Sequence, residues 1–359
     1  GSGDMTWTQP DATSWSGGVY GTNSTAVFAG AGQGTVNLSG VVTPRNVFVT
    51  TGAYTFAGAA IRGDGGLTVS GGTLTLNNAA NTYSGNTVVG AGATLQVNQA
   101  NRLPHGAGKG GVVADGALLL AGNADHTFNG LSGSGTVVLA RSAGTESGTL
   151  TLGGGDASGM FAGTVSNAAS SLSLVKTGAG TVTLGGSVFC LGTVTVNGGI
   201  LALGGSNALE GAVTVNAGTT LRLGHPQALA GAPLLLAADG AALDTTGMAE
   251  PCLLADGQTL RLGCHGTSVA ALATAPGNGL TLTGTASLHV NGYGGAEPPL
   301  TVTGGGGVTL SAGNEVTVTV SGTTSLPVGD HVLIAGGAAG TAPSAVTVDG
   351  AGRAPGTSA

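Results

Sequence analysis

The feature that most constrains the fold is a repeat of about twenty residues, which runs from about residue 66 to beyond residue 310. Each repeat holds two or three short runs in which apolar residues alternate with Thr, Gly or Ala, divided by Gly or Asn-Gly corners. Such alternation is typical of strands with one buried face. A unit of this length cannot bury its apolar face alone, so successive units must stack. Equivalent strands then pair in parallel, which predicts an elongated β-solenoid.

The repeat is read from apolar positions that recur at a nearly constant distance. Leu280, Leu282, Leu288 and Val290 recur one repeat later as Leu300, Val302, Val308 and Leu310. Further matches, also one repeat apart, join Val194 and Val196 to Val213 and Val215, Leu201 and Leu203 to Leu221 and Leu223, and Leu74 and Leu76 to Leu95 and Val97. We expect the members of each match to face one another in neighbouring coils, where a coil is one full circuit of the solenoid.

The composition agrees with a stack of small side chains. The chain has 72 Gly, 41% apolar residues, 7% charged residues and 3% aromatic residues. Disordered chains are poor in Val and Leu and rich in charge, which excludes disorder as the general state. The glycines follow no three-residue period, which excludes collagen. We expect a narrow core of Val, Leu, Ala and Thr.

Charge and hydropathy exclude two kinds of partner. Nine basic residues against sixteen acidic ones give a net charge of −7, and lysine occurs only at Lys109 and Lys176. Nucleic-acid binding needs several clustered cations, so we expect no nucleic-acid partner. The apolar runs, such as residues 118–121 and 233–238, are far too short to span a bilayer. Residues 1–6, which begin Gly-Ser-Gly, are interpreted as an added leader.

The three cysteines point to no metal site. The chain has no Cys-x-x-Cys spacing and its six histidines are scattered singly, so we predict neither a metal nor a cofactor. Cys252 and Cys264 flank a strand-turn-strand pattern that could bring them together in a disulfide, provided that the Cα separation suits one. The pair could equally remain reduced. Cys190 is expected to be a small buried apolar residue.

The N-terminal part of the chain differs by its aromatic residues. More than half of the chain's aromatic side chains lie between residues 7 and 58, namely Trp7, Trp15, Tyr20, Phe28, Phe48, Tyr54 and Phe56. The exposed end of a solenoid needs a cap over its core, and bulky rings suit that role. The alternative is a surface on which sugars stack, with Trp7 and Trp15 as ligand-binding residues.

No catalytic constellation stands out. Sugar-cleaving β-helices need paired carboxylates in one cleft, usually beside basic residues. The carboxylates nearest to one repeat apart are Asp239 and Asp256, Glu297 and Glu315, and Asp330 and Asp349, with no lysine close to any of them in sequence. The Gly-x-Ser-x-Gly motif of nucleophilic hydrolases is absent as well. We therefore predict that the chain is not an enzyme.

One short motif could carry binding. Arg62, Gly63 and Asp64 form an Arg-Gly-Asp tripeptide that, in a loop, could offer a cation and a carboxylate to an integrin and its bound metal. The same residues also read as an ordinary Gly-rich turn before the next strand. Both interpretations stay open, and Arg62, Gly63 and Asp64 are candidate ligand-binding residues.

Two segments resemble the passenger-associated repeat of autotransporter proteins. In residues 63–97, the matching positions are Asn81, Tyr83, Gly85, Thr87 and Leu95; in residues 174–205, they are Lys176, Gly178, Gly180 and Leu184. The second segment departs from the pattern at residues 187–192, where Ser-Val-Phe-Cys-Leu-Gly replaces Asn-x-Tyr-Ser-Gly. The resemblance implies a right-handed parallel β-helix of about 20 residues per coil, exported and displayed on the outer membrane of a Gram-negative-type bacterium.

The resemblance also implies a domain scheme and a role. Residues 7–58 would form the aromatic cap, residues 59–326 the β-helix repeats, and residues 327–359 a truncated passenger end without its C-terminal translocator. The chain would be a non-catalytic stalk or adhesin, which is an extracellular or virulence-related role in host interaction. It would be a monomer that binds a host glycan or an extracellular protein and meets a membrane only through the missing translocator. The alternative is a carbohydrate-active β-helix enzyme, either a polysaccharide lyase or a hydrolase.

Overall fold

The protein is described by a computed structural model of residues 5–9, 20–30, 33–121, 124–140, 147–167, 171–263, 269–295, 297–311, 313–320, 329–336 and 345–349. In these residues the regular structure consists of 37 β-strands and one 3-10 helix, Gly154–Asp156. The chain divides into two compact units, Gly1–Gly186 and Ser187–Ala359.

The first unit holds strands β1 to β19. Their bounds are β1 Met5–Trp7, β2 Thr25–Phe28, β3 Gln33–Leu38, β4 Asn46–Val49, β5 Ala53–Gly58, β6 Leu67–Val69, β7 Thr73–Leu76, β8 Thr87–Val89, β9 Thr94–Val97, β10 Val112–Ala114, β11 Ala117–Ala121, β12 His126–Phe128, β13 Leu131–Ser132, β14 Thr136–Ala140, β15 Ser147–Leu152, β16 Gly159–Phe161, β17 Thr164–Asn167, β18 Ser171–Lys176 and β19 Thr181–Leu184. One sheet has the order β1-β3-β5-β7-β9-β11-β14-β17, and a second has the order β13-β10-β8-β6-β4-β2. In this unit β12, β15 and β18 pair in a further ladder, and β16 pairs with β19.

The second unit holds strands β20 to β37. Their bounds are β20 Phe189–Cys190, β21 Val194–Val196, β22 Ile200–Leu203, β23 Ala208–Leu209, β24 Val213–Val215, β25 Thr220–Leu223, β26 Leu234–Ala237, β27 Ala242–Asp244, β28 Cys252–Leu254, β29 Thr259–Gly263, β30 Ala270–Ala273, β31 Gly279–Leu282, β32 Ser287–Tyr293, β33 Leu300–Thr303, β34 Gly307–Thr309, β35 Glu315–Val320, β36 Ile334–Ala335 and β37 Ala345–Asp349. Two long ladders run β21-β24-β26-β29-β32-β35-β37 and β22-β25-β27-β30-β33-β36 in this unit. Two short sheets, β20-β23 and β28-β31-β34, complete it.

The pairing is parallel, as a stack of coils requires. Within the first unit, for example, β5 pairs with β3 and β7, and in the second unit β29 pairs with β26 and β32, in parallel register. Neighbours in a sheet are strands of successive coils and not consecutive strands of the chain. The prediction of an all-β parallel β-helix is confirmed.

The core is a column of aliphatic side chains along the inner faces of the strands. Leu74 and Leu76 of β7 are fully buried against Leu95 and Val97 of β9, and the residues between them point outward. Removal of one such side chain from water is worth about 1.5–3 kcal/mol. The stacking of like side chains in successive coils therefore stabilises each coil through its two neighbours.

The predicted register is right for three of the matches. Val194 and Val196 pair with Val213 and Val215, and Leu201 and Leu203 pair with Leu221 and Leu223. Leu74 and Leu76 pair with Leu95 and Val97 as expected. The predicted coil length, about 20 residues, is therefore correct in these parts of the chain.

The predicted register between residues 280 and 310 is wrong. Leu280 pairs with Val308 and not with Leu300. Leu300 pairs instead with Ala270, and Leu288 pairs with Val316. The match found in the sequence had aligned β31 with β33 and β32 with β34, which belong to different sheets. Coils in this region are longer than the repeat because their loops are longer: Thr259 pairs with Ser287, and Leu280 pairs with Val308, each 28 residues on.

The residues that match the passenger-associated repeat act as internal braces. The Asn81 side chain accepts a hydrogen bond from the Ile61 amide at 2.8 Å and donates to the Arg102 carbonyl at 2.9 Å, so it joins the coils on either side of its own. The buried Tyr83 hydroxyl lies 2.6 Å from the Thr87 hydroxyl. Asn81 therefore braces successive coils, and Tyr83 braces the bend within its own coil.

Candidate functional site

A groove of about 590 Å³ lies in the first unit, at the loops that lead into strands β2, β4 and β6 of three successive coils. We call it the polar groove; it is lined by Thr22, Asn23, Thr43, Pro44, Arg45, Asn46, Gly63, Asp64 and Gly65. The lining residues form three short segments, one from each coil. The groove is thus a product of the coil stack, since each segment is distant from the others in sequence.

Main-chain hydrogen bonds hold the three segments together. The Asn23 amide donates to the Thr43 carbonyl at 3.3 Å, and the Arg45 amide donates to the Ser24 carbonyl at 2.9 Å. On the other side, the carbonyls of Gly63 and Gly65 accept hydrogen bonds from the next coil, each at 2.8 Å. A backbone bonded to neighbours on both sides gives the groove a preformed shape.

Gly65 sets how closely the coils approach in the groove. A Cβ atom at this position would lie 1.8 Å from the Arg45 carbonyl oxygen, far inside van der Waals contact. Only glycine therefore allows the segment around Asp64 to rest directly on the segment around Arg45. The separation of these two charged residues follows from that contact.

The lining side chains fall into two groups. The Thr43 hydroxyl donates to the Gln9 side-chain oxygen at 3.0 Å, and the Asn46 side chain accepts from the Gly66 amide at 3.1 Å. By contrast, four exposed lining side chains make no hydrogen bond or ion pair within the described residues: Thr22, Asn23, Arg45 and Asp64. The lining residues therefore include a hydroxyl, an amide, a guanidinium and a carboxylate that no other described residue binds.

The Arg-Gly-Asp tripeptide is divided between the groove and the outer surface. Gly63 and Asp64 line the groove, whereas Arg62 is exposed outside its lining. The Arg62 amide donates to the Val42 carbonyl at 2.9 Å, and Gly63 has a positive φ of 97°. The tripeptide is thus part of the coil wall, bonded to its neighbours. Its binding role stays a prediction, and Arg45 is the cation that shares the groove with Asp64.

Trp7 lies in the core and its ring is closed to ligands. It is 1% exposed and makes edge-to-face contacts with Tyr20, Phe28 and Phe56 at centroid distances of 5.5, 5.6 and 5.9 Å. A ring in this position fits the capping interpretation, and it cannot stack on a sugar without opening of the cluster. Trp15 lies outside the described residues.

Cys252 is a buried residue of β28. Desolvation raises the pKa of its thiol to about 12, despite hydrogen bonds from nearby backbone that act in the opposite direction. The predicted strand-turn-strand pattern is present as β28 and β29, and these strands lie in different sheets. Cys264 lies outside the described residues, so its pairing with Cys252 stays a prediction. Cys190 is buried, as expected.

The carboxylate pairs that an enzyme would need do not stack one coil apart. Glu315 pairs in register with Ser287 and Ala345, and not with Glu297. The Asp256 side chain accepts a hydrogen bond from the Thr285 amide at 2.7 Å. Over the described ranges, no three His, Cys, Asp or Glu side chains converge as a metal site would require.

No helix in the described part of the chain has the length and apolar character of a membrane span.

Lys176 forms a second polar feature, inside the coil stack. Its side chain is fully buried, and its ammonium group donates to the carbonyls of Thr177 and Gly178 at 2.5 and 2.8 Å. Burial lowers the pKa of Lys176, and the charge of Asp156 partly opposes that shift. This geometry assigns Lys176 to the closure of the bend after β18 and not to ligand contact.

Sequence reasoning missed most of the polar groove. Asn23, Thr43 and Gly63 follow one another at the repeat distance, so the period itself would have placed them side by side if it had been extended towards the N-terminus. Arg45 and Asn46 carry no motif, because polar loop residues follow no alternation. Only Gly63 and Asp64 were singled out from the sequence.

Comparisons with known proteins add no relative. No protein-family model, curated protein or solved structure matches the chain. The likeness to the autotransporter repeat therefore rests on the motif residues, and the function has to be argued from the polar groove.

Proposed function

We propose that the chain is a non-catalytic passenger domain of the autotransporter type, a stalk and adhesin that binds an extracellular ligand through the polar groove. The observation that carries this proposal is a groove built by three coils, whose lining includes four polar residues without a side-chain partner among the described residues, namely Thr22, Asn23, Arg45 and Asp64. Elsewhere the strands repeat the same small residues, so distinctive recognition has to come from loops such as these.

The rigidity of the groove supports binding as its role. The main chain of the lining segments is already hydrogen-bonded to neighbouring coils, so a ligand would find the polar groups in place. Preorganisation of this kind reduces the entropy lost on binding. A stalk built of stacked coils is a suitable carrier for such a site, since every coil supports the next.

The proposed location follows from the resemblance and the fold together. We place the chain on the outer surface of a Gram-negative-type bacterium, as a monomer that meets host glycans or matrix proteins. The parallel β-helix and the bracing role of Asn81, Tyr83 and Lys176 agree with that family's architecture.

The rival class is a polysaccharide lyase or hydrolase. Cleavage of a glycosidic bond needs a second acid or base within a few ångströms of the first. Asp64 is the one carboxylate among the described residues that line the groove. This lining offers no second carboxylate to complete a catalytic pair, which favours binding without turnover.

The proposal is tested by retention of the purified chain on immobilised glycans and matrix proteins, with reducing-sugar release measured in parallel. We expect retention on at least one surface and loss of it in the Asn23→Ala/Asp64→Ala double variant. Glu210→Ala, at an exposed acidic residue of the second unit, is the matched control and should be retained like the wild type. Failure to be retained on any surface, or release of reducing sugar at turnover rates, would refute the proposal.

A further inference from the structure

We infer that the polar groove is a subsite for an acidic saccharide, that is, a sugar residue with a carboxylate, such as a uronic or sialic acid. This inference rests on the proposed function and names the ligand class for the same groove. It starts from the chemical character of the lining, which is polar at every position except Pro44 and the two glycines.

The size and lining of the groove select a small polar ligand. Its volume of about 590 Å³ lies within the usual range of ligand sites, which is about 300–1,000 Å³. Among the described residues no aromatic ring lines it, and its only apolar side chain is that of Pro44. An apolar ligand would gain little here, whereas a ligand rich in hydroxyl groups would find a partner on each of the three segments.

Arg45 is the residue that favours a ligand with a carboxylate. Arg45 is an exposed residue of the lining, and its permanently charged guanidinium forms no ion pair within the described residues. The planar fork of donors matches the two oxygens of a carboxylate in a bidentate contact. A neutral sugar would shield the guanidinium from water without forming an ion pair with it, and this uncompensated loss of hydration would weaken binding.

The remaining free groups match the rest of a sugar. The Asp64 carboxylate is an acceptor for hydroxyl donors, and the Asn23 amide offers both donors and an acceptor. Thr22 adds a hydroxyl that can donate or accept a hydrogen bond. One cation with one acceptor carboxylate and two neutral groups is thus complementary to a ligand with one carboxylate and several hydroxyls.

Two other ligand classes fit less well. A peptide that adds a strand needs unpaired main-chain groups, and the main chain of the segments around Arg45 and Gly63 is bonded to neighbouring coils. A phosphate-rich polymer needs several cations, but the described lining has only Arg45, and Asp64 would repel such a ligand. An acidic saccharide is therefore the ligand class that fits the groove best.

The test compares each acidic sugar with its uncharged methyl ester. The probes are trigalacturonate, a glucuronate-containing hyaluronan tetrasaccharide and sialyllactose, each with its ester, titrated against the whole chain by calorimetry or NMR. We expect at least one acid to bind about tenfold or more tightly than its ester, because loss of a charge-assisted contact is worth about that factor.

The variants assign the contact to one side chain. Arg45→Gln should weaken acid binding about tenfold or more, and Arg45→Lys, which keeps the charge without the fork, should fall between it and the wild type. Arg222→Gln is the control, since it removes the same charge from an exposed residue of the second unit, outside the groove lining. It should bind within about twofold of the wild type. Unfolding temperatures verify that all variants are folded.

Several outcomes overturn the inference. Equal binding of acid and ester, or equal loss in Arg45→Gln and Arg222→Gln, would show that the guanidinium of Arg45 does not bind a carboxylate. If no acid binds while the chain is retained on other immobilised surfaces, the ligand class is wrong and the proposed function survives. If the chain is retained on no surface at all, the proposed function itself is wrong.

Discussion

At the scale of single residues, close contacts between coils determine where the polar groove can form. The chain at Gly65 rests on the Arg45 carbonyl with no space for a Cβ atom. We expect Gly65→Ala to destabilise the protein by about 3 kcal/mol, since the overlap is with backbone that cannot give way. Thermal unfolding measures the change.

A nearby glycine provides the control for this substitution. Gly21 has no atom within 4 Å of the place that a Cβ would occupy and no positive φ, so Gly21→Ala should leave the unfolding temperature almost unchanged. Equal stability of the Gly65 and Gly21 variants would mean that the coils are not packed as described.

The buried ring of Trp7 leads to a prediction on the cap. Trp7→Ala should cost about 3–5 kcal/mol, because it removes a large side chain from a packed aromatic cluster. In a Trp15→Phe background, the fluorescence of Trp7 should also resist quenching by acrylamide. Phe189→Ala, at a ring that is 45% exposed, should cost about 0.5 kcal/mol or less. A folded, stable Trp7→Ala protein that has lost ligand binding would favour the sugar-stacking alternative instead.

The buried Lys176 predicts a pH dependence of stability. Desolvation lowers the pKa of Lys176 in the folded state below the ordinary value of 10.5. Between the folded-state pKa and 10.5 the unfolded chain therefore holds more protons on Lys176 than the folded chain, so the contribution of Lys176 to the free energy of unfolding rises with pH, whereas the raised pKa values of Cys252 and Tyr83 contribute a fall at high pH. Denaturant unfolding at a series of pH values up to 10.5 should therefore give a slope of the free energy of unfolding against pH that is more negative in Lys176→Met than in the wild type, and this difference measures the rise due to Lys176.

The other lysine of the chain is the natural control for that measurement. Lys109 contacts the Thr82 carbonyl from the surface, and Lys109→Met should retain the slope of the wild type. A slope that becomes more negative in Lys109→Met and stays unchanged in Lys176→Met would contradict the assignment.

At the scale of the strands, the sequence predicts the architecture better than it predicts the register. Alternation and Gly corners are enough to predict parallel stacking, and they place Leu74 opposite Leu95 correctly. They fail at Leu280, because strands of different sheets show the same alternation of apolar and polar residues. Only the lengths of the loops distinguish the apparent partner, Leu300, from the true partner, Val308. The polar groove could not be predicted as a whole, because Arg45 lies in a loop where no periodicity applies.

The corrected register can be tested by an engineered disulfide. Thr281 and Thr309 are partners in adjacent parallel strands, whose usual spacing of about 4.8 Å lies within the Cα range of disulfides. We expect Thr281→Cys/Thr309→Cys to cross-link on mild oxidation, with the bridge identified by peptide mass mapping. Thr281→Cys/Thr301→Cys, which follows the match found in the sequence, should not cross-link. Formation of the second bridge and not the first would restore the shorter coil.

At the scale of the whole molecule, each of the two units is a stack of parallel strands whose interior is mainly aliphatic. The polar groove belongs to the first unit and draws on three of its coils. Under the proposed function, a few charges placed on this frame would give a chain with 7% charged residues its selectivity.

The central claim is that the groove binds a ligand and releases it unchanged. The most direct measurement is an NMR time course of the wild-type chain with the three acidic saccharides, which records saturation transfer to the sugar and any new sugar signals together. We predict saturation transfer from the protein and a sugar spectrum that stays constant for hours. New reducing-end or unsaturated-uronate signals that grow in proportion to protein concentration and vanish in Asp64→Asn would identify an enzyme and contradict the account.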